Sequence, residues 1–75
     1  MRNYMILNKI DEQGNNNGEQ WFINGLNSPI AAMQLLCEGQ YNQRTLIYLK
    51  GGANILTVKE TPQEIIEMEN NILNK

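Results

Sequence analysis

The chain has 75 residues, with six basic and eight acidic side chains, a single cysteine and no histidine. It has room for one small core and no intramolecular disulfide, and it lacks the side chain most often used as general base or metal ligand. Its formal charge of −2 supplies no electrostatic hold on nucleic acid or anionic lipid.

A domain this small buries only about 60–65% of its unfolded surface, so self-association is an expected source of further stability. Met1 to Lys9 contains no apolar core of the secretory kind. No apolar run approaches the roughly 20 residues needed to span a bilayer, and a cytoplasmic location is expected. Asparagine occurs twelve times, a composition that fits an AT-rich bacterial or phage genome.

Tyr4 to Ile10 is an apolar-rich run that predicts a first strand. Asp11 to Gly18 is the most polar stretch, and its Gly and Asn residues suit an exposed hairpin loop. It lacks the alternating acids and terminal glutamate of a calcium loop. Glu19 to Asn24 predicts a second strand, with Trp21 and Ile23 on one face and Phe22 on the other.

Ser28 to Gly39 supports two readings. Ser28 as N-cap, Pro29 at the first helical position and Gly39 as a stop describe a short helix. A period of two instead puts Ala31, Met33, Leu35 and Cys37 on one face of a strand. Cys37, with no histidine to activate it, reads as a small buried hydrophobe.

Thr45 to Lys50 is rich in β-branched and aromatic residues and predicts a strand. Gly51-Gly52-Ala53-Asn54 predicts the turn, and Ile55 to Lys59 the returning strand. Leu46 and Tyr48 share one face while Ile47 and Leu49 share the other, which suits a central strand. Thr61-Pro62-Gln63-Glu64 then predicts a capped helix. Its inner stripe is Ile65, Met68 and Ile72, widened by Ile66 and Leu73. Lys75 sits at the negative end of its dipole, and Asn70 to Lys75 is expected to fray.

No catalytic constellation can be assembled from these residues. Asp11 and Glu12 lie in a loop, Glu64, Glu67 and Glu69 read as a solvated helix face, and Gly51-Gly52 is a turn with no phosphate-loop lysine. The contact candidates are aromatic: Trp21, Phe22, Tyr41 and Tyr48, a residue class enriched in interface cores. Arg2, Lys9, Arg44, Lys50 and Lys59 beside these aromatics allow a nucleic-acid alternative. Such a binder is expected to concentrate its positive charge in a stripe, and these five are scattered.

Trp21-Phe22-Ile23-Asn24, the run Thr45 to Gly52 and the run Leu56 to Ile66 together resemble the FlbD-type flagellar and swarming-motility proteins. Ile23-Asn24, Gly51, Val58-Lys59-Glu60 and Glu64-Ile65-Ile66 occupy the matching places. The Asn15-Asn16-Asn17 loop and the Glu38 to Arg44 stretch depart from that pattern. The same region is similar to the opening half of LytTR-type DNA-binding domains, but the chain ends where those continue into their DNA-contacting strands and loops. Both resemblances imply a strand over Ala31 to Cys37.

The expected fold is therefore α+β: one domain over residues 1–75, a small antiparallel sheet of four to five strands, and one C-terminal helix packed on one face. The expected function is that of a non-enzymatic protein-interaction module with no metal and no cofactor, binding another protein and itself as a homo-oligomer. The motility resemblance implies a role in tuning flagellar assembly or motor output. The alternatives are a LytTR-related nucleic-acid-binding regulator and a phage- or mobile-element-encoded inhibitor of a host protein.

Overall fold

Strand β1 (Tyr4–Asn8) pairs antiparallel with β2 (Gln20–Asn24), setting Met5 opposite Ile23 and Leu7 opposite Trp21. This computed structural model describes residues 3–11, 13–38, 42–52 and 54–74. Met5, Leu7 and Ile23 are buried, whereas Tyr4, Ile6 and Phe22 point the other way and are exposed. The period-two alternation of the hairpin thus places its apolar residues on two faces, only one of which is covered.

Strands β3 (Ile30–Glu38), β4 (Asn42–Leu49) and β5 (Ile55–Val58) form a second antiparallel sheet in the order β3-β4-β5. Ile47 and Val58, both fully buried, and Leu56 face the core, while Leu46 and Tyr48 occupy the opposite face of β4. Gly51 and Gly52 join β4 to β5 with φ of 90° and 69°, values that side chains with a Cβ rarely adopt. The central position expected for the Thr45–Lys50 strand is the one β4 holds.

The segment that supported both helix and strand is β3. Ser28 Oγ accepts a hydrogen bond from the Ile30 N–H, and Pro29 contributes its carbonyl to the Lys50 N–H, so the pair begins a strand instead of capping a helix. Pairing with β4 shifts register between Ile30 and Ala32. This bulge returns Ile30 and Met33 to the same side, where both pack against the core. Cys37 is exposed, contrary to its reading as a buried hydrophobe, because the core does not extend to that end of the strand.

The five strands make two sheets, of two and three strands, where one sheet of four to five was expected. They meet at the isolated bridge between Lys9 and Val58. There the Ile10 N–H donates to Thr57 O at 3.2 Å and the Lys59 N–H to Asn8 O at 2.9 Å. Glu60 reinforces the joint: its two carboxylate oxygens accept from the Asn8 N–H at 2.9 Å and from Asn8 Nδ2 at 2.8 Å.

Helix α1 (Pro62–Leu73) starts at a complete capping box. Thr61 Oγ1 accepts from the Glu64 N–H, and Glu64 Oε1 accepts from the Thr61 N–H. Ile65 and Ile72 are buried and Met68 packs at the core margin. Ile66 and Leu73 are exposed and do not widen the stripe, because each lies one residue, about 100° of helix rotation, beyond an inner position. The helix continues regularly to Leu73, and the Asn74 N–H bonds to Asn70 O. Lys75 lies outside the described residues. Gly25 lets the hairpin approach the helix: a Cβ there would meet Ile72 Cδ1 at 2.5 Å.

Candidate functional site

Four consecutive residues of β2, Trp21 to Asn24, line a single groove of about 730 Å³. Alternate residues of a strand point to opposite faces, so a groove touching four in succession runs along the strand's edge. Its other walls are Tyr4 of β1, Pro29, Leu49 at the end of β4, and Ile55 and Leu56 of β5. Strand β2 pairs with β1 alone among the described residues, which leaves its groove-side backbone unpaired. The lining is mostly apolar, with Asn24, Asn27, Asn54 and Lys9 supplying polar groups. A concave apolar wall with a few polar groups is the usual make-up of a binding site.

Trp21 lies on the core-facing side of β2, half-buried opposite Leu7. The Lys9 ammonium sits 5.8 Å from its ring centroid and 2.7 Å from Glu19 Oε2. The indole Nε1 is buried and has no hydrogen-bond partner. A buried donor without an acceptor is costly, and this one has almost no contact with solvent. Phe22 is 48% exposed on the opposite face, paired across the hairpin with the exposed Ile6 and beside Tyr4.

Of the four aromatic candidates, Trp21 and Phe22 meet at this groove. Tyr48 does not join them: it sits on the outer face of the three-stranded sheet, opposite Ala32 and Ile55, and its hydroxyl donates to Gln34 Oε1 at 3.0 Å. Tyr41 lies outside the described residues. Sequence reasoning missed Tyr4, Leu49 and Ile55. Tyr4 could have been found from hairpin alternation, since it faces Asn24 in the register. Leu49 and Ile55 come from the other sheet, and no local pattern announces that approach.

The acidic loop does not gather ligands. Asp11 Oδ1 accepts from the Gln13 and Asn15 amides at 2.9 and 2.8 Å, which commits that carboxylate oxygen to shaping its own turn. Among the described residues no three His, Cys, Asp or Glu side chains come together, and no helix is long and apolar enough to cross a membrane. No protein family, curated protein or solved structure matches this chain.

Proposed function

We propose that this protein is a non-enzymatic interaction module that binds an extended, apolar segment of a partner protein along the edge of β2. The observation that carries this reading is the groove bounded by Trp21 to Asn24 along the free edge of β2. An extended peptide supplies what that wall lacks: backbone groups to pair with β2, and apolar side chains for Leu49 and Ile55. The resemblance to motility proteins suggests flagellar assembly or motor output as the process being tuned.

The test is capture from native cells by the tagged wild type and by Phe22→Glu in parallel, with bound species identified by mass spectrometry. Phe22 is exposed, so the variant keeps the fold, which circular dichroism verifies. A protein held by the wild type and lost from the folded variant supports the module. Recovery of nucleic acid released steeply by salt would replace it with the nucleic-acid regulator.

A further inference from the structure

Two of the twelve asparagines precede a glycine, in the pairs Asn17-Gly18 and Asn24-Gly25. In such a pair the glycine nitrogen is unhindered by a side chain, and it can attack Cγ of the preceding carboxamide. The fold treats the two pairs oppositely. Gly25 is buried, and its N–H donates to Asn3 O at 2.6 Å. Asn24 Oδ1 accepts from the Leu26 and Asn27 amides at 2.9 and 3.2 Å, which fixes the carboxamide in its own turn. Ile72 packs so close to Gly25 that no Cβ fits between them. Attack at Asn24 therefore requires undoing the contact between hairpin and helix.

Asn17 and Gly18 lie instead in the exposed loop between β1 and β2. Nothing stands within 4 Å of where a Cβ of Gly18 would be, and no hydrogen bond among the described residues holds the Asn17 side chain. One restraint remains: the Gly18 N–H donates to Asn16 Oδ1 at 2.6 Å. That bond is exposed and spans two residues, so it opens without disturbing a strand. We infer that Asn17 is a site of spontaneous deamidation, with water as the only co-reactant and Asn16 setting its rate. The Gly18 nitrogen bonds to Asn17 Cγ as the Cγ–Nδ2 bond breaks. Its proton leaves with the amide group as ammonia, and a succinimide remains. Water then opens the ring at either carbonyl, giving aspartate or isoaspartate at position 17. Either product takes the formal charge from −2 to −3. Asn24, which lines the groove along β2, is kept neutral by the same fold. The inference concerns the loop and stands whatever the groove binds.

The test ages the folded protein at mildly alkaline pH. Cleavage after Glu19 then puts the two asparagines on separate peptides for mass spectrometry. Position 17 should convert, with isoaspartate among the products, while Asn24 stays intact. In denaturing urea both should convert at similar rates, because the restraints on Gly25 are gone. Asn16→Ala should speed conversion of the folded protein about fivefold, the worth of one exposed hydrogen bond. Asn17→Gln should remove the new acidic species, and circular dichroism verifies that both variants keep the fold. An unmodified position 17, or Asn24 converting as fast as Asn17 in the folded protein, would overturn the inference. So would an unchanged or slower rate in Asn16→Ala, since Asn16 would then not govern attack by Gly18.

Discussion

Thr45 is fully buried on the core face of β4, between Leu35 and Val58 in the register, and its Oγ1 has no hydrogen-bond partner. Desolvating a hydroxyl without returning a hydrogen bond costs about 1–3 kcal/mol. Thr45→Val removes that cost and keeps the branched shape, so it should stabilise the domain by about 1 kcal/mol. In a chain of this size that corresponds to a rise in Tm of about 4–8 °C, readable by thermal denaturation. A fall in Tm would mean that the hydroxyl does find an acceptor. Nothing in the sequence marked Thr45 as unusual, since a β-branched residue in a strand is what propensity favours. That Trp21 turns toward the core and Phe22 away from it was legible, because consecutive strand residues point to opposite faces. Cys37 was misread for a related reason: residue type reports a preference for burial, whereas actual burial depends on how far the core extends.

The elements differ in how much of their definition is local. The start of α1 is wholly local: Thr61, Pro62 and Glu64 specify it, and each occupies its expected place. Thr61→Ala removes the oxygen that accepts from the Glu64 N–H and should cost about 1 kcal/mol in denaturant unfolding. Thr61→Ser keeps that oxygen and should stay near wild type; equal losses from both would point to the methyl group instead of the cap. The hairpin of β4 and β5 was legible for the same reason, because Gly51 and Gly52 accept the positive φ that joins it. Strand β3 was not. Its Ser-Pro entry and Ala-rich run carry helix propensity, and pairing along the length of β4 outweighs it. The bulge that sets its face has no sequence signature in a run of small apolar residues.

At the scale of the whole molecule, the arrangement rests on the joint between β1 and β5. One bridge unites a two-stranded hairpin with a three-stranded sheet, and Gly25 lets the hairpin approach the helix at Ile72. The sequence indicates the strands but not this division, because the joint depends on residues 52 positions apart, Asn8 and Glu60. The carboxylate of Glu60 fastens the Asn8 backbone and side chain together, and hydrogen bonds to a charged group contribute about 1.5–3 kcal/mol each. Glu60→Ala should therefore destabilise the protein by about 2 kcal/mol. The loss should begin at the joint, where the Ile10 and Lys59 amides cross between the sheets. In native-state hydrogen exchange these two amides should speed up more than those in the middle of β4, since local opening exposes the weakest contact first. Glu60→Gln retains one acceptor but presents an amide nitrogen to a donor, so its effect should fall between wild type and alanine. Uniform acceleration across both sheets would mean instead that the hairpin and the three-stranded sheet unfold as one unit, with no separate weakness at the joint. Localised acceleration would identify the joint as the weakest contact between the hairpin and the three-stranded sheet.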